Sequence, residues 1–191
     1  MLKKYNNRNS WERSRIRPIV TDTSCRDSCN YKEIHPAAQP VILAANIGKN
    51  INFSGNNCRT KEELAAVTVD TTSLTNPLIK IDFTTNVKFK CEAFGCYVVN
   101  TFIQISFKLI KYCNGCSEKI GTWEYYQYFA DAPDCALTRS LSDTFTFNYC
   151  TNDSSSECCV YKVIAEIKAC NDASELSCNK NTISVIAQSQ T

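Results

Sequence analysis

Residues 101–111 read TFIQISFKLIK, a strict alternation in which Ile103, Ile105, Phe107 and Leu109 point one way and Gln104, Ser106 and Lys108 the other. A period of two places one set of side chains on a core face and the other toward water, the signature of a half-buried strand. The same pattern recurs along the chain. Ile79, Ile81 and Phe83 alternate with Lys80 and Asp82; Phe145, Phe147 and Tyr149 alternate with Thr144, Thr146 and Asn148. Tyr161, Val163, Ala165 and Ile167 oppose Lys162, Glu166 and Lys168, with Ile164 out of phase. Weaker candidates lie at 41–47, 65–71, 87–90, 122–129 and 182–187. The helical rival, KEELAAV at 61–67, is too short to weigh against this. About nine short strands separated by Asn, Asp, Ser and Gly predict an all-β fold: a two-sheet antiparallel sandwich with jelly-roll connectivity.

Composition sets the outer limits. The chain has 191 residues, suited to one domain with an extension, and 43% apolar content can fill a core without help from disulfides. A net charge of +2 gives no whole-protein case for nucleic acid, and no run approaches the apolar length of a membrane span. The one histidine, His35, beside Pro36, reads as a loop residue. With no phosphate loop, no G-x-S-x-G and no H-E-x-x-H, the expectation is a protein that is not an enzyme and uses no cofactor or metal.

Residues 1–37 differ from the rest. Through Arg17 they hold six Lys or Arg against one Glu, and Pro18 and Pro36 interrupt the remainder. They read as a flexible N-terminal connector arm, with residues 38–191 forming the sandwich domain. The first residues contain no apolar stretch of the length an export signal needs.

Thirteen cysteines in such a chain is its most unusual property, and an odd count leaves one for a partner or a free thiol. Dense cysteine belongs to an oxidising destination. Together with the missing export signal, it implies oxidation after assembly or after lysis of the producing cell.

Cys113-Asn114-Gly115-Cys116 follows a strongly alternating strand, so a tight hairpin turn is favoured over zinc or redox chemistry. Cys158 and Cys159 begin a strand and should project to opposite faces. Cys150 ends the preceding strand, and a bridge to Cys158 or Cys159 would pin that hairpin. Cys91 and Cys96 could close the CEAFGC turn, and Cys170 and Cys178 flank NDASELS. Cys25 and Cys29 in the arm have no nearby partner, which makes them candidates for disulfides to another subunit. The aromatic group Trp123, Tyr125, Tyr126 and Tyr128 is read mainly as core filling, with carbohydrate or base stacking as the rival.

Several segments, in order, carry a family resemblance: PVILA, LAAVTVDTTSL, NPLIKIDFTTNV, FKLIKYCNG, IGTWEYYQY, SDTFTFNYC and ECCVYKV. Over residues 40 to about 187 the chain resembles a cysteine-containing, functionally uncharacterised domain family of clostridia and related spore-forming Firmicutes. Members often carry cysteine where this chain has LTNPL at 74–78; Cys116 and the basic arm are further departures. In plan the chain is also similar to endospore appendage subunits: a jelly roll, a cysteine-bearing connector and no signal peptide. The resemblance implies a self-assembling structural subunit of a spore-surface fibre or coat layer. Its partners would be copies of itself and related subunits, with no nucleic acid and no membrane insertion. The place would be the spore surface, or outside the cell after the mother cell lyses. The alternative is a non-enzymatic surface module that binds glycan or protein.

Overall fold

The computed structural model describes residues 40–53, 60–93, 100–130, 137–153, 157–170 and 173–190. Nine strands occupy them: β1 (Val41–Ile47), β2 (Ile51–Phe53), β3 (Lys61–Asp70), β4 (Leu78–Ala93), β5 (Asn100–Cys113), β6 (Cys116–Ala130), β7 (Leu137–Asn152), β8 (Cys158–Cys170) and β9 (Ala173–Gln188). One sheet runs β1-β9-β4-β7, with β2 also on β9; the other runs β3-β8-β5-β6. All pairings are antiparallel. Counting β1 and β2 as one interrupted strand gives the orders 1-8-3-6 and 2-7-4-5, which is jelly-roll connectivity.

The alternating residues form the core between the sheets. Ile103, Ile105, Phe107 and Leu109 are fully buried, as are Ile81, Tyr161, Val163 and Ala165. Aromatic rings join the two layers: Phe107 of β5 stacks on Phe145 of β7 at 4.4 Å, and Trp123 of β6 on Phe147 at 3.8 Å. Trp123 and Tyr125 are therefore core residues, while Tyr126 and Tyr128 face outward.

Two sequence expectations, the extents of β4 and β9, are corrected. KEELAAV is strand rather than helix, as expected, because β3 pairs along its length with β8, and an extra residue at Leu64 shifts its register. The tertiary ladder overrides a weak helical preference. The segments at 79–83 and 87–90 are parts of the 16-residue β4, and 182–187 is the end of the 16-residue β9. In β9, Leu176 and Cys178 point inward, yet so do Ile183, Val185 and Ala187, one position out of phase. The change of phase is a bulge, with Lys180 at φ 53°.

That bulge also explains the gap between β1 and β2, which pair with β9 on either side of it. The connection clamps it: Gly48 N–H donates to the Asn181 carbonyl at 2.7 Å, and Lys180 N–H donates to Asn50 Oδ1 at 2.9 Å. Lys49 N–H donates to the Leu64 carbonyl of β3, tying the edges of the two sheets together at one corner. A Cβ on Gly48 would stand 1.9 Å from that carbonyl oxygen, so only glycine fits there.

Candidate functional site

Two surfaces of the sandwich carry features that packing alone does not require. The first is the β1 edge. Strand β1 ladders with β9, and its outward side chains are apolar: Val41, Leu43 and Ile47 are 52%, 72% and 78% exposed. Ile186, directly opposite Leu43, extends the strip onto β9.

Edge strands normally carry charge or proline to discourage pairing with another chain. The other edges do: β3 holds Lys61, Glu62, Glu63 and Asp70, β6 holds Glu118, Lys119 and Glu124, and β7 holds Arg139 and Asp143. Neither VILAANI of β1 nor INF of β2 contains a charged residue or a proline.

The second surface is the end of the sandwich near the β5–β6 hairpin. The expected tight turn is there, with Asn114 at φ 50° and Gly115 at φ 77°, both in the left-handed region that an Asn-Gly hairpin turn needs. It sets Cys113 directly opposite Cys116 on β6. On its other side Cys113 lies opposite Cys159 of β8, and these two are bonded, with Cα atoms 4.7 Å apart. The bond joins positions 46 residues apart.

Cys158 and Cys159 do project to opposite faces, Cys159 buried and Cys158 exposed. The expected bridge from Cys150 to either of them is not made: Cys159 is bonded to Cys113 and Cys158 is a free thiol. The cause is topological. β7 and β8 belong to different sheets, so no hairpin exists for Cys150 to pin. Nor do Cys170 and Cys178 flank a loop, because β9 begins at Ala173 and Cys178 is a free thiol within it. Burial pushes the Cys178 thiol up to about 12. Cys170 closes β8 and packs against the core. Cys91 lies in β4, opposite Arg139 of β7. Cys25, Cys29, His35 and Cys96 lie outside the described residues.

Around the hairpin end, Lys111 forms an ion pair with Asp153, and Thr71 Oγ1 donates to the Glu157 carbonyl at 2.9 Å. The donor atoms of Cys113, Cys159 and Glu157 lie within 4.8 Å of one another. While the two sulfurs are bonded to each other they are not thiolate ligands, so this group does not make a metal site in its oxidised form. Among the described residues no helix is long and apolar enough to cross a membrane.

The outer face of the β3-β8-β5-β6 sheet holds an ion cluster that sequence spacing did not reveal. Glu166 is nine-tenths buried and accepts from Lys108, with Lys168 at 3.0 Å and Lys61 at 3.8 Å. Hydrogen bonds from Lys108 and then Lys168 hold its carboxyl down at about 2. Farther along the same face, Tyr126 is 54% exposed and stacks on Phe102 at 6.4 Å.

The apolar strip was visible in the sequence only as a weak strand candidate at 41–47. Its distinguishing signal, an uncharged run, acquires meaning once β1 is known to be an edge.

Residues 39–188 match the family model of the domain of unknown function DUF4489, and the chain belongs to that family. No curated protein matches the chain.

Proposed function

We propose that this chain is a self-assembling structural subunit of a spore-surface fibre or coat layer, polymerised through sheet edges and locked by disulfides from its N-terminal arm. The observation that supports this reading most is the uncharged, apolar β1 edge, with Leu43 and Ile47 largely exposed. Among the described residues β1 ladders with β9 alone, so an added strand could pair along its other side and cover its apolar side chains.

The occupant is a second copy of this chain. β1 and β7 form opposite edges of one sheet, so β1 of one copy pairing with β7 of the next extends that sheet without closing a ring. The arm precedes β1 in the sequence, and its Cys25 and Cys29 are the candidates to bond to the neighbouring copy. Covalent links between folded subunits would give kinetic resistance to heat and denaturant. Spore-surface placement rests on the resemblance to spore-former domains and appendage subunits.

The double variant Leu43→Asp/Ile47→Asp tests the edge. It should stay folded but lose assembly in light scattering and negative-stain microscopy. Fibres that persist in the double variant would remove β1 as the polymerising edge.

A second reading, a surface module that binds glycan or protein, is supported by the exposed Tyr126, which stacks on the half-buried Phe102. A stable monomer that retains an oligosaccharide, and releases it on Tyr126→Ala, would favour that reading.

A further inference from the structure

Cys159, Cys113 and Cys116 occupy directly opposed positions on the three adjacent strands β8, β5 and β6. Directly opposed residues share a face, so the three side chains form one row across the sheet, perpendicular to the strands. Cys113 is the middle member. Exposure rises along the row from the buried Cys159, through the half-buried Cys113, to Cys116, which is an exposed free thiol.

From this arrangement we infer that the row is a thiol–disulfide exchange site, in which the bond moves from the buried Cys113–Cys159 position to the exposed Cys113–Cys116 position. There it becomes open to an external thiol.

Displacement at sulfur requires the incoming thiolate to approach opposite the leaving sulfur. Cys116 stands on the far side of Cys113 from Cys159, so the row itself supplies that line of approach. Opposed Cα atoms on paired strands lie about 4.5–5.5 Å apart, within the range a disulfide bridges. The Asn114-Gly115 turn holds this spacing fixed, so no backbone movement is needed.

The step balances without an oxidant. The Cys116 thiolate attacks Cys113 Sγ, the Cys113–Cys116 bond forms and the Cys113–Cys159 bond breaks. The electron pair leaves on Cys159, which takes up the proton that Cys116 lost to solvent. An external thiolate then attacks Cys116 Sγ, forming a mixed disulfide and releasing Cys113 as a thiolate. The external thiol is of one chemical class, an aliphatic thiol, supplied by a small molecule or by a cysteine of a second copy. The site stands whether or not the chain polymerises through β1.

Peptide mapping of the full chain tests it. Trypsin cuts after Lys111 and Lys119, releasing residues 112–119 with both Cys113 and Cys116. After incubation at mildly alkaline pH, acid quenching and alkylation, the wild type should yield this peptide internally bridged, two hydrogen masses lighter than its dithiol form. Cys159 should be alkylated in the same samples. With reduced glutathione added, the adduct should appear on Cys116.

In Cys116→Ser, Cys159 should remain linked to Cys113, and its alkylation should slow by about tenfold or more, because direct attack must then reach a half-buried sulfur. Two outcomes overturn the proposal: an internally bridged peptide that never appears, or Cys116→Ser reacting at the wild-type rate. Cys158→Ser removes the other exposed free thiol among the described residues and should leave exchange unchanged. If it is this variant that slows exchange, the assignment to Cys116 fails. Transfer to a second copy is distinguished by a peptide that links Cys116 to another chain in samples without glutathione. Fibre formation is read separately, by microscopy.

Discussion

Replacing Glu166 with Gln should destabilise the sandwich at neutral pH and make no difference in strong acid. The carboxyl falls from its ordinary 4.5 to about 2 because Lys108 and Lys168 donate to it, with Lys61 nearby. A depression of that size corresponds to at most about 3 kcal/mol of folding stability above the unfolded-state value. Lys61 and Lys168 are 62% and 38% exposed, so solvent screening brings the expected figure down to about 2 kcal/mol.

The sign follows from the direction of the shift. A carboxyl held low in the folded state stabilises it above pH 4.5, and that contribution disappears as pH falls toward 2. A glutamine side chain at this position cannot ionise. The variant should therefore trail the wild type by about 2 kcal/mol at pH 7, with the gap closing between pH 4.5 and 2. Urea unfolding of both proteins, disulfides intact and ionic strength constant, measures the gap at each pH. A gap that stays constant down to pH 2 would mean that packing rather than charge is lost. No gap at pH 7 would refute the ion-cluster account altogether.

Gly48→Ala should lower stability by about 1–3 kcal/mol, the usual cost of overpacking, since the new Cβ meets a backbone carbonyl that no rotamer change can move. Urea midpoints measure the loss, and an unchanged midpoint would mean that the β1–β2 corner yields freely. In native protein, Cys116 and Cys158 should react with a maleimide within minutes, while Cys178, buried and held largely as the neutral thiol, should react only on the timescale of unfolding. Equal labelling of Cys178 in a mass-spectrometric time course would contradict its burial.

Much of this was legible in the sequence, and the parts that were not share a cause. Alternation alone identified Ile103 to Leu109 as an inward row, and Asn114-Gly115 as a hairpin turn. Both depend on neighbours in the chain. Cysteine pairing depends on which sheet each strand joins, and the jelly roll sends β7 and β8, then β8 and β9, to opposite layers. Guesses based on proximity in sequence, Cys150 to Cys158 or Cys159 and Cys170 to Cys178, therefore failed. Bulges hid the rest. The one-residue change of phase at Lys180 made β9 look like a short strand after a loop. The shift at Leu64 interrupts the alternation, so the strand candidate at 65–71 missed the first residues of β3. The Glu166 cluster draws Lys61, Lys108 and Lys168 from three strands, which no single segment displays.

The central claim, a subunit that polymerises and is then covalently locked, is tested most directly by negative-stain microscopy of the purified full chain beside reducing and non-reducing gels. The account predicts ordered fibres whose denatured samples run as ladders without reductant and collapse to a single monomer band with it. Replacing Cys25 and Cys29 with Ser should remove the ladder and leave the fibres. An empty grid with one monomer band, even after oxidation, would contradict the claim.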